Sequence, residues 1–101
     1  MPKGYVYAEI EVIDPVLWKT YPRLAAASIA EFGGRYLVTG RPPKYVPEGS
    51  ERPQRMVILE FDSLERAIAW YNSPQYQAAL RIRERCARSK VFMVAGGVET
   101  S

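Results

Sequence analysis

The sequence predicts an α+β sandwich of the split βαβ kind, with a four-stranded antiparallel sheet covered by helices on one face. Three observations carry that expectation. Strict apolar alternation opens the chain from Gly4. Apolar positions at three- and four-residue steps then mark helical stretches after Asp14 and after Asp62. The resulting order, strand, helix, strand, strand, helix pair, strand, is that of a split βαβ unit, in which the first and third strands lie side by side at the centre of the sheet.

Taken in order, Gly4 to Ile13 reads GYVYAEIEVI, with Val6, Ala8, Ile10 and Val12 on one face and Tyr5, Tyr7, Glu9 and Glu11 on the other. Such alternation defines a half-buried strand. Asp14-Pro15 supplies an N-cap acceptor and a proline at the first helical position, where a missing N–H costs nothing. The apolar side of this helix is Leu17, Tyr21, Leu24, Ser28 and Phe32, and Pro22 forces a kink or restart at Tyr21. Gly33-Gly34 stops the helix, since glycine adopts the left-handed conformation that satisfies its last carbonyls. A second strand runs from Arg35 to Thr39. Gly40 to Pro53, rich in proline, glycine and charge, is a long connection for which a lid and a plain hairpin loop both fit.

Met56 to Phe61 is a third strand, apolar on both faces apart from Glu60 and therefore central in its sheet. Asp62 and Glu65 have capping-box spacing, and Leu64, Ala67, Ile68 and Tyr71 form one helical stripe. Ser73-Pro74 ends that helix and caps another, whose inward positions are Tyr76, Ala79, Leu80, Arg83 and Ala87. Lys90 to Ala95 is the fourth strand, before Gly96-Gly97.

Length and composition narrow the function classes. A chain of 101 residues suits one domain, here 1–101, with 48% apolar and 25% charged residues and no run long enough to span a membrane. The opening MPKGYVYAE lacks the apolar core and cleavage site of a secretory signal, so a cytoplasmic location is expected. The net charge is +3, but the basic residues are dispersed among acids. Arg81, Arg85 and Arg88 read as a solvated helix face with Glu84 interleaved, which argues against nucleic acid as a partner. The chain has no histidine and a single cysteine, Cys86. That removes imidazole bases, Ser-His and Cys-His nucleophiles and thiolate zinc clusters, and no metal or cofactor is expected.

The helix-free sheet face carries Tyr5, Tyr7, Met56 and Ile58, more apolar area than a protein leaves in water, so a homodimer packed through these faces is expected. Glu9 and Glu60 emerge on the same face. Buried carboxylates need partners, and Arg35 and Arg55 are the nearest in topology. Two readings follow: interface ion pairs, or a polar cluster at the mouth of an aromatic pocket, with a carboxylate as base and an arginine as anion clamp. Tyr21, Tyr71 and Tyr76 are placed to direct phenols into a common cavity. The candidate pocket is therefore Glu9, Tyr21, Arg35, Arg55, Glu60, Tyr71 and Tyr76.

With those residues in view, the chain resembles the family known as domain of unknown function 1330, a branch of the dimeric α/β-barrel group. The resemblance rests on GYVYAEIEVIDP, FGGRYLVTG from Phe32, VILEFDS from Val57 and AWYNSPQYQ from Ala69. It implies a ferredoxin-like protomer and a homodimer whose two sheets close a barrel, and no established reaction. Related barrels include cofactor-independent monooxygenases, lactone isomerases and haem-handling enzymes, the last disfavoured because no histidine is present as an axial ligand. Two functions are thus in play. One is a small-molecule binder, with an organic anion as a candidate ligand and cofactor-free catalysis as an extension. The other is a non-catalytic assembly protein whose barrel is only a packed interface.

Overall fold

The computed structural model describes residues 2–49 and 51–97; Ser50, inside the predicted Gly40 to Pro53 connection, lies outside them. The elements are β1 (Gly4–Val12), α1 (Pro15–Trp18), α2 (Tyr21–Glu31), β2 (Arg35–Arg41), β3 (Arg55–Phe61), α3 (Leu64–Tyr71), α4 (Pro74–Cys86) and β4 (Ala87–Ala95). The sheet order is β2-β3-β1-β4, and every neighbouring pair is antiparallel. β1 and β3 are the central strands, and all four helices lie on one face, as the sequence order predicts. That face buries Val6, Ala8 and Ile10 of β1 with Leu59 and Phe61 of β3.

The local signals act largely as read. Asp14 Oδ1 accepts from the backbone N–H groups of Val16 and Leu17. The helix breaks after Trp18 and restarts at Tyr21 with Pro22 in the new first turn, because a proline nitrogen cannot extend the preceding hydrogen-bond ladder. Gly33 takes φ +76° at the end of α2. Beside it, a Cβ on Gly34 would come within 2.5 Å of the Phe61 ring, so the chain passes there only without a side chain.

Five expectations are corrected. β2 continues to Arg41, since a second irregularity between Thr39 and Arg41 is absorbed by Gly40 at φ +69°, leaving residues 42–54 as the connection. The cap of α3 is Ser63, whose Oγ accepts from Arg66 N at 3.1 Å; Asp62 instead faces Lys3, 3.4 Å away. The buried arc of α3 is Ala67 and Trp70, with Ile68 43% exposed. Trp70 sets that rotation by donating its indole N–H to Ser28 Oγ across the layer at 3.0 Å. In α2 the small Ala25 and Ile29 take the inward positions and Leu24 is exposed, because α2 packs chiefly on α4. Finally, α4 stops at Cys86, whose carbonyl accepts the N–H groups of Ile13 and Asp14. Ala87 and Arg88 therefore belong to β4, which pairs with β1 along its whole length down to Val12↔Ala87.

Candidate functional site

α2 leans on α4 rather than closing down on β2 and β3, and the gap beneath it is a cavity of about 310 Å³. Its floor is the helix-facing side of the sheet, including Val6, Ala8, Val57 and Leu59, and its walls are Trp18, Tyr21, Tyr36, Trp70 and Tyr76. The exposed Pro22, Tyr36 and Thr39 also line it, so it opens between the start of α2 and the β2 edge. The volume is at the small end of ligand pockets, roughly 300–1,000 Å³.

Local structure aims each polar group. Ser73 Oγ caps α4 by accepting from Tyr76 N, which places Tyr76 in the first turn; one stripe further along, at i+7, is Arg83. The break before α2 brings Trp18 and Tyr21 together with ring centroids 5.0 Å apart. The phenols of Tyr21 and Tyr76 share a hydrogen bond of 2.8 Å. Arg83 donates to Tyr76 Oη at 2.7 Å and lies 3.5 Å from Tyr21 Oη, with its guanidinium 5.8 Å from the Tyr21 ring centroid. Arg83 is only 7% exposed and has no carboxylate partner among the described residues. Burial opposes its charge, and the phenols of Tyr76 and Tyr21 outweigh that effect, leaving its pKa raised. Burial first, and then Tyr21, push the Tyr76 phenol far above the usual tyrosine value, so it stays a neutral donor and acceptor. Arg55, at the start of β3, holds its guanidinium 5.4 Å over the Trp18 ring, and its Nε is buried with no hydrogen-bond partner among the described residues.

The seven predicted site residues do not form one cluster. Tyr21, Arg55 and Tyr76 line the cavity. Tyr71 packs against Tyr76 at a tilt, with ring centroids 5.4 Å apart, but does not line it. Glu9, Arg35 and Glu60 lie on the opposite, helix-free side of the sheet. There Glu60 accepts from Tyr5 Oη at 2.8 Å and from Arg35 Nε at 2.7 Å, and those two bonds hold its carboxyl below the usual range. Glu9 accepts from Tyr7 Oη at 2.8 Å. Arg55 is not the partner of either carboxylate. Strand parity gives the reason: Arg55 shares its side of β3 with Val57, Leu59 and Phe61, while Glu60 alternates with them. A carboxylate base and an arginine clamp within one pocket is thus corrected, since among the described residues no Asp or Glu lines the cavity.

Arg83 is the residue that sequence reasoning passed over. It stands on the inward stripe with Tyr76, Ala79 and Leu80, and a charge on an otherwise apolar stripe is itself a signal of a buried polar site. Among the described residues there is no group of three or more potential metal ligands and no helix long and apolar enough to cross a membrane.

Fold and cavity together define a ferredoxin-like α+β protein with a small aromatic pocket under its helices and an open sheet face behind it. The chain belongs to the DUF1330 family, a domain of unknown function whose model matches residues 3–97. No curated protein matches. Among solved structures, a protein of unknown function from Rhodopseudomonas palustris aligns with a TM-score of 0.78 at 14% identity, covering 97% of this chain and 85% of that one. SnoaB, a cofactor-independent oxygenase from Streptomyces nogalater, aligns at 0.62 with 9% identity, covering 99% and 97%. A dimeric protein of unknown function and ferredoxin-like fold from Bacteroides fragilis aligns at 0.61 with 13% identity, covering 93% and 96%. At these identities the likeness is one of fold.

Proposed function

We propose that this protein is a homodimeric small-molecule binder that takes an organic anion into the cavity between sheet and helices. The carrying observation is Arg83, 7% exposed in the wall of an aromatic cavity that no carboxylate lines among the described residues. Burial disfavours the Arg83 charge and the two phenols offset that effect without supplying a counter-charge; an anionic ligand is the group that supplies one. Aromatic walls add apolar contact for the ligand's body. Among the described residues the same lining has no imidazole, thiol or carboxylate group, so the site favours binding over a reaction that needs a protein base.

The test is a thermal shift and calorimetric titration of the purified protein with benzoate and with benzyl alcohol as its uncharged counterpart. Benzoate raises the melting temperature and benzyl alcohol does not, and Arg83→Met removes the benzoate response. At a hundredfold excess over Kd a native-state ligand adds about 2.7 kcal/mol. Equal responses to both probes, or none to benzoate, would refute the reading.

The dimer rests on the open face, where Tyr5, Tyr7 and Ile58 lie beside Phe92 and Val94, which are 57% and 60% exposed. Such a face is an interface in the making, and the Bacteroides fragilis neighbour is described as dimeric. Phe92→Glu should convert the dimer to a monomer in analytical ultracentrifugation at micromolar concentration. A wild-type protein that sediments as a monomer there would sink the proposal.

A further inference from the structure

We infer that the ligand is an organic dianion, engaged by Arg55 and Arg83 together; this rests on reading the cavity as an anion site. Among the described residues, the charged groups of the cavity wall are two guanidiniums and no carboxylate. Neither arginine is ion-paired among the described residues. Each approaches a different ring of the Trp18–Tyr21 pair, Arg55 at 5.4 Å from Trp18 and Arg83 at 5.8 Å from Tyr21. Arg83 is buried and Arg55 half-buried, and a cation over an aromatic face gains only part of what it loses in leaving water. A monoanion bound here leaves one of the two guanidiniums uncompensated, whereas a dianion answers both.

Hydrogen-bond accounting points the same way. Tyr21 and Tyr76 carry two hydroxyl hydrogens but share one mutual bond, and Tyr76 Oη already accepts from Arg83. Whichever phenol donates to the other, one O–H is left without an acceptor in the cluster. Arg55 Nε–H likewise has no partner among the described residues. Buried donors are normally satisfied, and the three residues that carry these donors, Tyr21, Tyr76 and Arg55, all line a cavity whose remaining walls are mainly apolar. A ligand with several anionic oxygens meets both requirements, with charge neutralised at the two arginines and an acceptor offered to the phenol pair.

Three probes separate the possibilities: benzoate with one charge, isophthalate with two separated carboxylates, and phenyl phosphate with both charges on one group at pH about 8, above a second ionisation near 6. Titration of the wild-type chain should give at least about tenfold tighter binding for one of the dianions than for benzoate, the equivalent of one favourable charge contact. Arg55→Gln should lower the affinity for that dianion to about the level of benzoate, and Arg55→Lys, which keeps the charge, should restore part of it. Preference for isophthalate assigns the arginines to separate carboxylates, and preference for phenyl phosphate assigns them to one group; both support the inference. Equal affinity for benzoate and the dianions overturns it and leaves the anion site standing. Failure of all three probes to bind overturns both.

Discussion

Replacing Tyr76 with phenylalanine removes one oxygen and keeps the ring, so it isolates the hydrogen bonds that hold Arg83. That oxygen accepts from Arg83 at 2.7 Å and bonds Tyr21 at 2.8 Å. A hydrogen bond to a charged group contributes about 1.5–3 kcal/mol and a neutral one about 0.5–1.5. With the side chain 1% exposed, water cannot replace either. Arg83 would keep only the 3.5 Å approach to Tyr21. We therefore expect Tyr76→Phe to lose about 2–4.5 kcal/mol, or on the order of 8–36 °C in Tm for a domain of this size. Urea denaturation at fixed protomer concentration measures it. The double variant Tyr76→Phe/Arg83→Met should recover much of the loss, because a buried polar pair exchanged for apolar groups is often neutral while breaking one side is costly. An alkaline series adds a check on sign. The folded-state pKa of Tyr76 is raised, chiefly by burial, so its contribution is complete below the unfolded value of about 10 and is lost as pH climbs through the folded one. Tyr76→Phe should flatten that part of the alkaline decline. A variant within about 0.5 kcal/mol of wild type, the range of an ordinary surface change, would refute the reasoning.

Two further outcomes follow from other parts of the fold. The lowered pKa of Glu60, due first to the Tyr5 bond and then to Arg35, means that its stabilising effect is present above the unfolded carboxylate pKa, about 4.3, and is lost as pH falls through the folded value. Glu60→Gln should therefore shrink the drop in Tm between neutral and acidic buffer, and an unchanged acid limb would count against the ion pair. Gly34→Ala places a methyl group within 2.5 Å of the Phe61 ring, and Phe61 is fully buried; overpacking of that kind costs about 1–3 kcal/mol, read by chemical denaturation, and a neutral result would mean that the ring shifts freely.

Much of the fold was legible because its signals are local. Asp14-Pro15, Pro22, Gly33-Gly34 and Ser73-Pro74 each act within a turn of where they stand, through capping, a missing N–H or a left-handed φ. Three of the corrected helix and strand assignments share one cause, that a distant partner made the choice. Trp70 reaching Ser28 turned α3, α4 drew Ala25 inward, and β1 extended β4 back to Ala87. The Ser63 cap was instead decided locally, since a serine and an aspartate in sequence both qualify and the extended backbone of Ser63 selected it.

The site divides along the same line. Sequence alone determined the donor-rich, histidine-free chemistry, the aromatic set, and the parity that places Arg55 and Glu60 on opposite sides of β3, because composition and a two-residue period are properties of the chain itself. Tertiary structure decided that Tyr21 and Tyr76, 55 residues apart, share a hydrogen bond, that Arg83 is buried against them, and that α2 stands far enough from β2 and β3 to leave a cavity. Those facts depend on how helices of given side-chain volume settle over a twisted sheet, a balance of packing that no single stretch of sequence contains.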